Sequence, residues 1–362
     1  MGITRSAAAF FLAIGIAGVA DFGFCQPPTA EERLDRLIAL ADKITIGVNA
    51  LQIQYYHDTG DQLGDGTPNG PPIGSGTPFG RNGFTLRRAE FYARGQVTER
   101  ITYETLFDLS GSAPIVRDAF VEIAGTPYAN LRLGQFRIPF GVEIRLSSNH
   151  LIFIDRMLVT YLGERQRVVA SVLQEWDRGV QLVGEPISGP LNVSYALALV
   201  NGEGLNADDG NGLTDVVGRF GIRVAGYQIG TSTYRGTRRD AAAPFLDRDR
   251  TRFGWDAEIN PNPLKALLIR GELIRGRDDQ TATRGWYVLT AYRVTDCWEP
   301  AVRVERWDPD RNAAGDEFTR TTLGLNYHIV GDTRLSANYE FRDDKAHPAM
   351  GNLALIQYQL SF

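Results

Sequence analysis

The residues that could do chemistry in this chain are its arginines. All but three of the 38 basic residues are arginine, and lysine occurs only at positions 43, 265 and 345. A guanidinium is permanently charged and presents a planar fork of donors that fits carboxylate and phosphate oxygens. Many of these arginines stand at every second position of segments whose intervening residues are apolar. Arg88 and Arg94 fall on such a polar face with Glu90, and Arg132, Arg219 and Arg223 fall on others. Arg252 shares its face with Asp256 and Glu258, Arg270 with Glu272, and Arg303 with Glu305. Arg320 follows, then Arg334 and Arg342 with Glu340. Arginine rings in a narrow, low-dielectric passage favour anions and acidic rings favour cations, and the bases outnumber the acids here. The competing use of the same side chains is a set of Arg–carboxylate networks that stiffen a wall.

Other chemistries find little support. His57, His150, His328 and His347 lack metal-ligand spacing, and no Ser-His-Asp constellation can be singled out. The segment Asn206–Gly212 is rich in oxygen donors but lacks the spacing and terminal glutamate of an EF-hand, so it reads as a solvated turn. A net charge of −5 argues against a nucleic-acid partner. No cofactor is expected. Two cysteines, Cys25 and Cys297, make no disulfide framework.

The elements that position the arginines have a period of two. In Arg334–Arg342, Leu335, Ala337, Tyr339 and Phe341 lie on one face and Arg334, Ser336, Asn338, Glu340 and Arg342 on the other. Sixteen such segments run near 43–57, 84–97, 101–110, 116–124, 130–138, 175–185, 191–201, 214–224, 227–237, 250–260, 265–276, 284–295, 298–307, 317–329, 333–343 and 352–362. Most reach the ~9–12 residues that a tilted strand needs to cross a bilayer. Tight connections alternate with long ones (58–83, 139–174, 202–213, 238–249, 308–316 and 344–351). This predicts an all-β fold: a transmembrane antiparallel barrel of sixteen strands, its short turns and both ends on the periplasmic side. The mean hydropathy of −0.20 fits, because a barrel's inner face is polar. Trp176, Trp255, Trp286, Trp298 and Trp307 lie near strand ends, where interface girdles are expected.

The two ends agree with export. Arg5 precedes an apolar run to Ala20, so residues 1–25 read as a signal peptide cut after Ala20 or after Cys25. Residues 26–42 read as a short periplasmic helix, with Leu34, Leu37, Ile38 and Ala41 at helical spacing, and 43–362 as the barrel. Tyr358, Leu360 and Phe362 share one face of the final strand and resemble the terminal signal of bacterial outer-membrane proteins, read by the barrel-assembly machinery. Among the loops, 139–174 stands out. It is apolar at Leu151–Ile154 and Met157–Leu162, with Arg145, Arg156, Arg165 and Arg167 among acids, so it is expected to pack inside the barrel.

Three stretches carry a family resemblance: Phe84-Thr-Leu-Arg87-Arg88-Ala-Glu90, Ile115-Val-Arg117-Asp118-Ala-Phe120-Val-Glu122, and Leu131-Arg-Leu-Gly134-Gln135-Phe136-Arg-Ile-Pro139-Phe140-Gly141. Leu146-Ser-Ser148 and Ile154-Asp-Arg156 extend them. Together they resemble the phosphate-selective porin O and P family. The resemblance implies a sixteen-stranded outer-membrane barrel, a homotrimer, and a third long loop that narrows the lumen, here 139–174. It also implies an anion-binding role for Arg87 and Arg88. Strict alternation sends those two to opposite faces, so both reach the lumen only through a bulge. A lysine-lined funnel, the mark of phosphate-specific members, cannot be built from three lysines.

The resulting expectation is passive diffusion of small anions, phosphate or similar, along Arg87, Arg88, Arg94, Arg132, Arg145, Arg156, Arg219, Arg223, Arg252, Arg270, Arg303 and Arg320. The other expected partners are outer-membrane lipid, the assembly machinery and further copies of the chain. A weakly selective porin is the nearest alternative; a barrel enzyme or a plugged structural barrel stands further off.

Overall fold

The computed structural model describes residues 44–59, 82–111, 113–126, 128–158, 175–239, 244, 246–260, 266–345 and 351–362. The expected signal peptide and the helix at 26–42 lie outside the described residues. The described residues form sixteen strands: β1 (Ile44–Asp58), β2 (Asn82–Thr98), β3 (Ile101–Asp108), β4 (Ile115–Thr126), β5 (Ala129–Arg137), β6 (Trp176–Ile187), β7 (Leu191–Val200) and β8 (Asp215–Val224). They continue with β9 (Tyr227–Arg239), β10 (Asp247–Ile259), β11 (Leu267–Asp278), β12 (Thr281–Tyr292), β13 (Trp298–Asp308), β14 (Phe318–Val330), β15 (Thr333–Asp344) and β16 (Leu353–Leu360). Each pairs antiparallel with the next, and β16 returns to β1 to close the barrel. Every segment read as a strand forms one. The clearest shift is in β12, which starts at Thr281 because Asp279 (φ 50°) makes a two-residue hairpin with Gln280.

Closure has a physical cause. In hydrocarbon an unpaired backbone group costs several kcal/mol, so a spanning sheet cannot keep an open edge. The seam pairs Leu51 with Leu360 through to Asp58 with Leu353. Beyond the strand end, Val48 N–H donates to the Phe362 carbonyl at 2.8 Å and Phe362 N–H to the Val48 carbonyl at 3.0 Å. Alternation then sorts the side chains. Phe220, Phe253, Val302, Leu323, Leu335, Phe341, Ile356 and Tyr358 stand exposed on the outer wall, as a lipid-facing surface demands.

Unusually for a channel wall, the inside holds a hydrophobic cluster. Phe136, Ile138, Phe140, Ile144, Phe153 and Met157, from the end of β5 and the segment after it, pack against Ile274, Tyr287, Leu289, Trp307 and Phe318 of the wall. Two glycines make room. A Cβ at Gly254 would stand 3.0 Å from the Phe140 ring, and one at Gly324 would stand 2.8 Å from the ring of Phe153. This corrects two girdle assignments. Trp307 and Trp176 are buried inside, at 0% and 2% exposure, whereas Trp255 and Trp298 face outward. Trp307 follows Arg303 and Glu305 in phase and so points inward with them. Trp176 is stacked by the guanidiniums of Arg137 (3.9 Å) and Arg117 (4.8 Å) and donates from Nε1 to Asp118.

Candidate functional site: the constriction

The segment 138–158 crosses the lumen, and the wall's polar side chains hold its backbone. Glu272 on β11 accepts from the amides of Val142 (3.0 Å) and Glu143 (2.8 Å). Ser232 on β9 accepts from Gly141, whose φ of 59° turns the chain. Glu305 on β13 accepts from the Leu158 amide at 2.6 Å, and Asn338 on β15 from that of Ile154 at 2.8 Å. Donors meet the carbonyls: Arg303 reaches Asp155 O (2.9 Å), Arg320 reaches Arg156 O (2.7 Å), and Arg334 reaches Leu151 O. A buried loop must satisfy its own amides and carbonyls, and here the wall does it residue by residue.

Arg87 joins this set through a bulge. The β1–β2 register slips between Gln52 and Ile53, which pair with Arg88 and Leu86, so Arg87 is the extra residue. Consecutive Arg87, Arg88, Ala89 and Glu90 are all buried. Arg87 pairs with Asp155 of the loop at 2.6 Å, while Arg88 donates to Gln52 (3.1 Å) and lies 3.3 Å from Glu90. Glu90 in turn accepts from Ser148 of the loop at 2.6 Å.

The loop lies against β9–β16, β1 and β2, leaving an opening of about 990 Å³ on the other side. Arg94, Arg132, Arg137, Arg145 and Arg219 line it, with Glu104, Asp118, Glu185 and Asp332 as its carboxylates. Arg132 is paired with Glu122 (2.7 Å), Arg137 with Glu175 (3.1 Å), and Arg219 with Asp256. Arg145 differs. It projects from the loop, exposed to the lumen, and makes no ion pair among the described residues. Its guanidinium is cationic at neutral pH. Arg94 has no ion pair among the described residues either; its guanidinium lies over the Tyr92 ring at 5.0 Å.

Of the arginines named from sequence, Arg94, Arg132, Arg145 and Arg219 therefore meet at the opening. Arg223 lies on the same face of β8, exposed toward the short-turn end and bonded to Gln228. Arg87, Arg303 and Arg320 grip the loop from the wall, and Arg88 lies in the polar cluster at its side. Arg156, in the loop itself, is fully buried against Glu175 (2.7 Å) and Leu146 O (2.8 Å). Arg252 and Arg270 are paired within the wall, with Asp278 (2.6 Å) and Glu258 (2.7 Å). Alternation overlooked Arg137, which closes β5 out of phase with Arg132, beyond Gly134 at φ 128°. Its position at the mouth of the apolar loop was the available signal.

A closed sixteen-stranded antiparallel barrel in which the segment 138–158, after β5, folds inward and leaves a charged opening is a barrel of the porin type. Within it, residues 78–178, which include the motifs of β2, β4 and β5 and the constriction loop, match the family model for phosphate-selective porin O and P. Solved structures agree on the fold. OmpF of Salmonella typhi, in complex with daunomycin, superposes with a TM-score of 0.62 at 11% identity, covering 88% of this chain and 97% of that one. An anion-selective porin from Comamonas acidovorans gives 0.60 at 15% identity over 88% and 99%. OmpT of Vibrio cholerae in its trimer form gives 0.55 at 14% over 89% and 100%. No curated protein matches the chain in sequence.

Proposed function

We propose that this protein is an outer-membrane porin, a channel rather than an enzyme, through which small anions diffuse passively. The observation that carries the reading is the opening beside the inward loop, with Arg145 on the loop, without an ion pair among the described residues, and Arg94, Arg132, Arg137 and Arg219 on the wall. A guanidinium without a carboxylate partner, in water confined by protein, is what an anion meets on the way through. The match of residues 78–178 to a phosphate-selective porin family and the likeness to an anion-selective porin support it. Phosphate enters as one such anion.

Planar-bilayer recording in a potassium chloride gradient is the test. A reversal potential on the chloride side is expected, and one on the potassium side refutes anion preference. Saturable block of chloride current by phosphate would separate a phosphate site from a general anion path. The four carboxylates at the opening favour, as the second reading, a porin of weak selectivity.

The same reading includes a homotrimer, for which the trimeric form of a similar barrel is the support, and a cleaved export signal at residues 1–25. It also includes recognition of the Tyr358, Leu360 and Phe362 face during barrel assembly. Mass measurement of the unboiled complex and N-terminal sequencing of the exported protein check the first two.

A further inference from the structure

The outer wall carries a second arginine group that the channel does not use. Arg235 on β9, Arg275 and Arg277 on β11 and Arg284 on β12 are exposed and, by alternation with the buried Tyr234, Ile274 and Thr283, point outward. All four lie toward the end of the barrel that carries the long loops, where β11 and β12 are themselves joined by the Asp279–Gln280 hairpin. They are close in register. Thr251 pairs with Arg235 on one side and Arg277 on the other, and Arg275 stands directly opposite Arg284. Like charges opposite each other in an antiparallel pair destabilise it, with Cβ atoms only ~4.5–5.5 Å apart. No ion pair among the described residues relieves them. Arg284 has Asp308 on its other flank without a salt bridge, and the guanidinium of Arg275 lies over the Trp255 ring at 5.7 Å. Phe253 stands in register with Arg275, and Trp255 is the next outward residue of β10 toward the middle of the membrane, the apolar and aromatic residues of a bilayer boundary.

We propose that this patch binds the phosphate groups of an anionic glycolipid of the outer leaflet, its acyl chains running down the wall past Phe253 and Trp255. The inference rests on the outer-membrane reading above. Forked guanidiniums pair phosphate oxygens bidentately, and a lipid phosphate between Arg275 and Arg284 removes their repulsion. A lipid is favoured over a free ion because the charges sit directly above a lipid-facing surface. At the same level on the opposite wall, Phe84, Leu86 and Phe107 are apolar and offer no such headgroup site.

The full chain in neutral-detergent micelles, titrated with bis-phosphorylated lipid A and followed by native mass spectrometry, tests this. Lipid A is expected to bind at least tenfold more tightly than its dephosphorylated form. The double variant Arg275→Gln/Arg284→Gln should lose at least tenfold in affinity, with channel conductance and selectivity unchanged. Unchanged conductance also shows that the variant is folded. Equal binding by the double variant, or equal binding of dephosphorylated lipid, overturns the proposal. Displacement by inorganic phosphate at the lipid's own concentration overturns it as well, pointing to a free-ion site. So does a photo-crosslinker at Thr251 that captures a second copy of the chain. The titration reads out whether or not the barrel conducts, so its failure is distinct from failure of the porin reading.

Discussion

Replacing Arg145 by glutamine removes one charge from the opening while keeping most of the side chain's volume. Arg145 faces lumen water and makes no ion pair among the described residues, so its field acts on a passing ion with little local cancellation. An anion in contact at ~4 Å gains about 1 kcal/mol if the surroundings behave as bulk water and about 4 kcal/mol at an effective dielectric constant of 20. The exposed position selects the lower figure. One kcal/mol is about a fivefold change in anion partition, and the same charge repels cations, so in 0.1 M salt the anion-to-cation permeability ratio of Arg145→Gln should fall at least about fivefold. In 1 M salt the screening length is about 3 Å, shorter than the contact, and the fall should shrink to less than about twofold. Reversal potentials at matched tenfold gradients and two mean ionic strengths give both ratios. An unchanged ratio in 0.1 M salt refutes the assignment. An equal fall in 1 M salt would mean that Arg145 acts by size and hydration rather than by charge.

Arg303 grips the loop through Asp155 O and lies between Glu305 (2.9 Å) and Glu143 (3.5 Å), so Arg303→Met leaves the buried Glu143 without this cation and Glu305 with Arg320 (2.6 Å) alone. A cost of about 3–5 kcal/mol is expected, with a lower unfolding temperature in micelles and a larger single-channel conductance as the loop loosens; unchanged conductance would show the loop held without it. Gly324→Val places atoms where the Phe153 ring lies and should cost about 1–3 kcal/mol by overpacking, read as a lower urea midpoint.

Much of this molecule is legible as a sequence because alternation is a local property. Successive side chains of a strand face opposite sides, so Leu335 to Phe341 against Arg334 to Arg342 declares which face meets lipid before any partner is known. Strand number, loop side and closure follow from the spacing of such segments. The apolar stretches at 151–154 and 157–162 likewise announced a loop needing cover. Bulges escape this logic. Arg87 and Arg88 both face inward only because β2 carries one residue more than β1 at that point, and the slip belongs to the pairing of two strands distant in sequence. The two inward tryptophans are of the same kind, since a girdle and a buried stack look alike until the loop beside them is in place.

Period-two patterning by itself therefore determined the barrel and its polarity, because each residue's face depends only on its own strand. Which arginines face the opening was decided by the tertiary structure alone. A guanidinium on the inner face pairs with whatever lies within its reach, and the folded loop supplies carbonyls to Arg303, Arg320 and Arg334 and a carboxylate to Arg87. Arg145 is left facing open water because the loop that carries it is held by other residues, on the far side of the lumen from the wall it faces.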